Sequence, residues 1–240
     1  MGEWRQKRFW QSVDVASSDE GYEVRLDGRT LRTPAKAAFV VPSRALAEAA
    51  AAEWAAQEGE IHPGKMPVTR AINSAIDKVT PQRVAVLDML LSYAETDLVC
   101  YRAEGPAGLV ARQTEAWDPC LAWVRDRFGV EMLAVAGVMH FPQPAEVGAA
   151  FRAHVTPWSA HKITGLHDLV TLSGSFVLGL AVAEGRFDAA EAWALSCVDE
   201  DWQAAQWGRD DEAEAASAEK AQGFAAAARY LSLLDAEDER

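Results

Sequence analysis

The segment at residues 22–33, YEVRLDGRTLRT, decides the fold class at the N-terminal end of this chain. Its first half alternates apolar and polar residues, which places Tyr22, Val24 and Leu26 on one face of a β-strand. An Asp-Gly dipeptide follows, which is typical of a two-residue hairpin turn because both positions adopt positive φ. The segment therefore predicts two antiparallel strands joined by a tight turn.

Short strands are also predicted on both sides of this hairpin. RFWQSVDV at residues 8–15 alternates in the same way, and AAFVV at residues 37–41 is a short apolar run. Both runs are bounded by turn residues, namely SSDEG at 17–21 on one side and Pro42 on the other. This part of the chain therefore favours a small antiparallel sheet.

Helices follow from Ser43 onward. Ser43 is a suitable N-cap for the alanine-rich run behind it, because its hydroxyl can accept a hydrogen bond from a free backbone N–H. A second helix is predicted at residues 68–79, either capped by Thr69 or entered from Pro67. Thr80-Pro81 then predicts the start of the next helix, with Pro at its first position.

The pattern stays helical almost to the end of the chain. We expect a helix at residues 109–128 that is interrupted near Asp118-Pro119, because proline removes a helix hydrogen bond. Residues 129–139 form the one later segment that could be a strand. Asp188 with Glu191 three residues later is a cap-and-box pattern, and it predicts the start of an acidic helix.

The predicted fold class is therefore α+β. Residues 1–80 would form a small N-terminal α+β domain of short antiparallel strands plus helices. Residues 81–240 would form a mostly α-helical C-terminal domain, with an acidic partner-binding helix and a short acidic tail. A chain of 240 residues is long enough for either one large domain or two modest ones.

The charge of the chain excludes several classes of partner. The net charge is −13, and from residue 187 onward fourteen Asp and Glu stand against four Lys and Arg. An acidic surface repels nucleic acid phosphates and anionic membranes, so we expect neither as a partner. Basic protein surfaces are the natural complement.

The cysteines and the hydropathy pattern indicate a reducing compartment. Three cysteines lie far apart with no C-x-x-C motif, as is typical of buried thiols in the cytoplasm. The basic N-terminal residues are not followed by an apolar signal segment, and no run of 18 apolar residues occurs. We therefore expect a bacterial cytoplasmic protein without membrane insertion.

Motifs for metal, cofactor or nucleophile chemistry are not recognisable. His154, His161 and His167 lie six or seven residues apart, whereas a zinc site on a helix prefers two histidines four apart. The glycines fit neither a dinucleotide-binding motif nor a phosphate-binding loop. We expect no catalytic residues, no metal, no cofactor and no small-molecule substrate.

The acidic segment at residues 198–215, VDEDWQAAQWGRDDEAEA, is the best candidate for a functional site. At 3.6 residues per turn, the polar and acidic residues of this segment fall on stripes of a helix that also contain a tryptophan and glutamines. A helix face that contacts only solvent alternates Lys and Glu instead. The alternative is an amphipathic helix with Trp202 or Trp207 in its own core, and Val198, Trp202 and Ala205 suit such a core. The residues predicted to contact a partner are Glu200, Gln203, Trp207, Asp210, Asp211 and Glu212.

Seven segments in register resemble one family, the assembly chaperones of the ATP synthase F(1) sector that attend the α subunit. The segments are KRFWQSVDV, VRLDGRTLRTPAK, LAEAAAAEWAAQ, KMPVTRAINSAIDKV, YAETDLVCYRAE, QTEAWDPCLAW and SCVDEDWQAAQWGRDDEAEA. The resemblance covers residues 7–220 in order and without large gaps. Each segment alone is a weak signal, but their shared order is specific.

The resemblance implies a function and a site. Members of this family, found in mitochondria and α-proteobacteria, hold the free α subunit until it meets β. They are not enzymes and have no known cofactor, and eukaryotic relatives would lie in the mitochondrial matrix. The family's sensitive acidic position falls within the segment matching WGRDDEAE, with Glu212 the closest match and Asp210 and Asp211 as alternatives.

Two further interpretations remain open. Trp54, Arg70 and Asp77 lie in segments that match the family, and they would either serve the client or be structural, with Trp54 in the core and Asp77 paired with a base such as Arg70. A small hydrolase that uses Asp199, Glu200 or His161 as a general acid or base is the rival class. A generic adaptor would differ from the chaperone only in its client.

Overall fold

The computed structural model describes residues 7–208 and 210–236, and these residues form two compact units. The first unit contains the chain up to Arg83, together with Ala160–Gly165 and the segment from Arg229 onward. The second unit contains Val84–Ser159 and Leu166–Ala228. Short strands followed by a largely helical chain confirm the predicted α+β class.

The sheet of the first unit has four short strands. They are β1 (Val13–Ser18), β2 (Gly21–Leu26), β3 (Arg29–Thr30) and β4 (Val40–Val41). Strand β2 pairs antiparallel with the other three. The turn between β2 and β3 has φ of 48° at Asp27 and 75° at Gly28, so both central residues are left-handed, as a tight primed turn requires. The predicted hairpin is confirmed.

The helices of the first unit begin close to their predicted starts. Helix α1 (Arg44–Ala55) is capped by the Ser43 hydroxyl, which accepts a hydrogen bond from the backbone N–H of Leu46. Helix α2 (Pro67–Ser74) is entered from proline, and a π-helical turn, Ala75–Val79, extends it. Helix α1 packs on β1 and β2, where Val24, Phe39 and Leu46 are buried together with Ile72 of α2.

The prediction that Thr80-Pro81 starts a helix, with Pro81 at its first position, is wrong by two residues. Thr80 instead closes the π-helical turn, because its backbone N–H and its hydroxyl both donate to the Ala75 carbonyl, at 2.9 and 2.8 Å. The next helix begins only at Arg83. Threonine can cap the start of a helix, but here Thr80 donates hydrogen bonds to a carbonyl at the end of one.

The second unit is built mainly from helices. Helices and strands whose residues lie wholly or mostly in it are α3 (Arg83–Glu95), β5 (Tyr101–Arg102), α4 (Ala107–Phe128), β6 (Val135–Ala136), α5 (Ala145–Val155), α6 (Ala160–Ser173), α7 (Phe176–Ala183), α8 (Ala189–Ser196), α9 (Val198–Trp207) and α10 (Asp211–Leu234). Strands β5 and β6 pair in parallel, which confirms a strand within residues 129–139. No helix among the described residues is long and apolar enough to cross a membrane.

Two predicted helix boundaries differ from the structure. Helix α4 runs through Pro119 without interruption, because the ring lies on the exposed side, where water can satisfy the carbonyl that loses its partner. The Asp188 cap, whose carboxylate accepts from the Glu191 N–H at 2.8 Å, starts α8 rather than the acidic helix. Helix α8 ends at Ser196, whose hydroxyl donates back to the Trp193 carbonyl.

A buried carboxylate lies in the second unit. Asp97 is fully buried, and its oxygens accept hydrogen bonds from the Ser175 hydroxyl at 2.6 Å and from the N–H groups of Val177 and Val99 at 2.9 and 3.2 Å. It therefore joins the chain after α3 to the first turn of α7. Burial raises the pKa of Asp97 from 3.8 to about 6, and the hydrogen bonds offset part of that rise.

The raised pKa of Asp97 makes the free energy of unfolding depend on pH. The stabilisation from protonated Asp97 is fully present below the unfolded-state pKa of 3.8 and is lost as the pH rises through about 6. A shift of about two pKa units corresponds to roughly 3 kcal/mol. We expect the stability difference between wild type and Asp97→Asn to shrink by up to this amount from pH 4 to pH 7, in urea unfolding. A difference that is constant over this range would contradict the assignment.

Candidate functional site

The acidic segment forms two helices rather than one. Helix α9 stops at Trp207, and Gly208 follows with φ of 91°, a conformation that L side chains rarely adopt. The carboxylate of Asp210 then accepts a hydrogen bond from the Ala213 N–H at 2.9 Å, which caps α10. The polar and acidic stripes of the segment are therefore interrupted at Gly208, where the first helix ends before the second begins.

Every residue predicted to contact a partner is exposed. Trp207 stands out, because 79% of its surface is accessible to solvent, so the alternative that places this indole in the protein's own core is wrong. The carboxylates at 200, 210, 211 and 212 and the amide of Gln203 are also exposed. An exposed indole beside carboxylates is the composition of a protein-binding surface, where Trp supplies contact area and charge supplies orientation.

The opposite side of α9 faces the second unit. Val198 is buried and Trp202 is half-buried, with its ring against Gly108 of α4, where a Cβ would lie only 2.7 Å from the indole. Ala205, predicted for the same core face, is exposed instead. The register that buries Val198 and Trp202 thereby turns Gln203 and Trp207 outward.

Asp199 has a structural partner. The amide of Gln113 donates to the Asp199 carboxylate at 2.7 Å, and the oxygen of the same buried amide accepts from the Ala103 N–H, also at 2.7 Å. The amide thus links α9 to α4 and to the chain after β5. An acid held in this way orients a helix and is poorly placed to exchange protons with a substrate, which weakens the hydrolase interpretation.

A groove of about 800 Å³ separates α9 from the first half of α10. Five of the twelve residues that line it are alanines, whose small side chains leave the space open. Trp193 of α8 and Arg112 of α4 also contribute. The alanines are Ala204, Ala205, Ala213, Ala218 and Ala221. Sequence periodicity could not reveal this groove, because it arises from the angle between two separate helices.

Carboxylates line the same groove. They are Glu200, Asp201, Asp210 and Glu214, and Arg112 is the one basic residue among those that line it. Arg112 lies 3.8 Å from Asp201, so part of its charge is already offset within the chain. The groove therefore carries a net negative charge over an apolar floor.

The first half of α10 has no buried face. Every residue from Asp210 to Lys220 is exposed, whereas Phe224, Ala227, Tyr230 and Leu231 are buried at helical spacing further along. A helix usually buries one stripe against its own protein. Along about three turns, α10 therefore exposes side chains on every face.

The histidines and cysteines take structural roles. The His161 ring shares a hydrogen bond with the Tyr230 hydroxyl at 2.7 Å, and burial lowers the pKa of His161 to about 4, which makes it a weak general base at neutral pH. His154 lies 2.9 Å from Glu184. Burial raises the pKa of all three thiols, the opposite of what a nucleophile needs. Within residues 7–208 and 210–236, no group of three or more His, Cys, Asp and Glu is arranged for a metal.

Two of the three family-matching residues in the first unit, Trp54 and Asp77, have internal side-chain contacts. Asp77 accepts hydrogen bonds from the Thr33 hydroxyl at 2.6 Å and from the Ala35 N–H at 2.9 Å, so the predicted pairing with Arg70 is wrong. Trp54 is half-buried and meets Trp10 edge to face, with ring centroids 5.0 Å apart. Asp77 therefore ties the chain after β3 to the π-helical turn. These contacts favour a structural role for both residues.

Known proteins resemble this chain in sequence and fold. The profile of the family described as ATP12 chaperone protein matches residues 7–125. The crystal structure of Atp12 from Paracoccus denitrificans has 46% sequence identity and a TM-score of 0.93, with 97% of this chain and 100% of that chain covered. A variant of that P. denitrificans protein, in which lysine replaces an aspartate, has 45% identity and a TM-score of 0.92 over 95% and 97% of the two chains. The mitochondrial protein atp12 of Schizosaccharomyces pombe is 22% identical over 86% of this chain and 75% of its own length.

Proposed function

Because this chain belongs to the ATP12 chaperone family, which serves the assembly of ATP synthase, we propose that it binds the free α subunit of the F(1) sector and prevents its aggregation until β arrives. A lone subunit exposes the surface that normally pairs with its neighbour, and large exposed patches of this kind aggregate. A bacterial cytoplasmic location and a non-enzymatic role belong to the same proposal.

The exposed indole of Trp207 is the observation that supports this proposal best. A tryptophan side chain that is 79% exposed is unusual at a position that contacts only solvent. The neighbouring acidic and amide side chains surround it with polar groups that can exclude the wrong partner. We therefore assign client binding to Glu200, Gln203, Trp207, Asp210, Asp211 and Glu212.

Truncation of Trp207 should weaken client binding without destabilising the protein. Indoles at the centre of an interface often contribute 2 kcal/mol or more, so Trp207→Ala should raise the Kd for the α subunit by about 30-fold. Binding would be measured with separately expressed α and β subunits, by capture and by suppression of α aggregation. The melting temperature should stay close to that of wild type, and an unchanged Kd would contradict the assignment.

Charge reversal should act in the same direction and should depend on ionic strength. Glu212→Lys should weaken capture of α, whereas Glu20→Lys, an equal charge change at an exposed turn between β1 and β2, should not. Because exposed charges are screened within about 10 Å at 0.1 M salt, wild-type binding should weaken as salt rises. A complex that is indifferent to salt would contradict the electrostatic part of the proposal.

A further inference from the structure

The groove between α9 and α10 has the dimensions and the chemistry of a binding site for a peptide segment. Its volume of about 800 Å³ is within the range typical of ligand clefts. The alanine methyl groups offer an apolar floor, and the groove exists because none of these side chains is large enough to fill it. The exposed first half of α10 forms one wall of the groove.

The charge of the groove selects its occupant. Four carboxylates line it, against the single guanidinium of Arg112, which lies 3.8 Å from Asp201. A Lys or Arg side chain can lay its methylene stem along alanine methyl groups while its charged end reaches a carboxylate. An acidic segment would be repelled, and a purely apolar one would remove the excess negative charge of the groove from water without supplying a counter-charge.

We propose that this groove receives a lysine- or arginine-bearing segment of the client, with its aliphatic stems on the alanine floor and its charges at Glu200 and Glu214. This inference rests on the proposed function, because the client is the free α subunit. It adds to that function the kind of client segment that the groove would recognise. The exposed Trp207 and the groove then contact different parts of the same client.

Filling the groove tests the proposal without changing any charge. Ala218 lines the groove, whereas Ala216 is equally exposed on the same helix and does not line it. We expect Ala218→Phe to raise the Kd for the α subunit at least about tenfold. Ala216→Phe should leave the Kd within about twofold of wild type. Both sites are exposed, so both variants should melt at nearly the wild-type temperature.

Neutralising the groove tests the chemistry of the occupant. Glu214 lines the groove and Glu219 does not, although both are exposed on α10. Glu214→Gln should weaken capture of α by about threefold to tenfold and reduce its salt dependence, whereas Glu219→Gln should change little. Equal effects of the two variants would contradict a basic occupant, even if Ala218→Phe binds poorly.

The two proposals fail in different ways. If the wild-type chain does not capture the α subunit, the proposed function is contradicted. The proposal for the groove then fails as well, because its occupant is a segment of that subunit. If the wild-type chain captures α and Ala218→Phe captures it equally well, the groove is contradicted while the chaperone function stands. Loss of capture in Ala218→Phe but not in Ala216→Phe supports both.

Discussion

Replacement of Trp117 by alanine should lower the free energy of unfolding by about 3–5 kcal/mol, the usual cost of truncating a fully buried tryptophan. Trp117 lies on α4 in the core of the second unit, with no surface exposed. Its indole N–H donates to the Leu195 carbonyl at 2.8 Å, and the Arg102 guanidinium lies over its ring, 5.4 Å from the centroid. The substitution therefore removes packing, a hydrogen bond and a cation–π contact together. Urea unfolding followed by circular dichroism measures the loss.

Trp207→Ala is the matched control, because it makes the same chemical change at an exposed position. We expect its free energy of unfolding to stay within about 0.5 kcal/mol of wild type. The pair of variants separates the packing role of Trp117 in folding from the client-binding role that we propose for Trp207. If Trp207→Ala lowered the free energy of unfolding as much as Trp117→Ala, that result would contradict the exposed position of Trp207.

Replacement of Asp97 by alanine should cost about 3 kcal/mol or more. The Ser175 hydroxyl and the N–H groups of Val177 and Val99 would lose their acceptor inside the protein, and each buried donor left without a partner costs about 1–3 kcal/mol. The three losses will not add fully, because the donors share one cavity into which water can move. The measurement is again urea unfolding, at pH 7.

Asp188→Ala provides the control for Asp97. Asp188 also accepts a backbone N–H at a helix start, but it is exposed, so its loss should cost about 1 kcal/mol. The contrast therefore isolates burial, since both residues are aspartates that cap helices. If both substitutions lowered the free energy of unfolding by similar amounts, Asp97 would act as an ordinary helix cap, without an added contribution from its burial.

The arrangement of the candidate site explains how a chaperone could combine capture with release. The residues that we propose to bind the client lie along α9, at Asp210 and in the first turn of α10, and all of them are exposed. Such a surface reaches its partner quickly through its charge, and exposed charge pairs contribute little net affinity. A client bound in this way can dissociate readily, and the proposed function requires this because the α subunit must leave the chaperone to pair with β.

Part of the candidate site was predictable from sequence, and part was not. The exposure of Gln203 and Trp207 follows from a helical register of α9 that buries Val198 and half-buries Trp202. The groove does not, because it depends on the angle that the chain takes after Gly208. The partner of Asp199 is Gln113, 86 residues earlier in the chain, and no local pattern indicates such a pairing.

The amino-acid sequence alone determined the features that depend on near neighbours. The Asp27-Gly28 turn, the Ser43 cap and the Asp188 cap each involve backbone groups within three residues, so composition at those positions was sufficient. Only the tertiary structure decided the burial of Asp97 and the opening of the groove. Asp97 is buried against Ser175, 78 residues further along the chain, and the groove depends on the angle between α9 and α10, so packing outweighs local preference at both places.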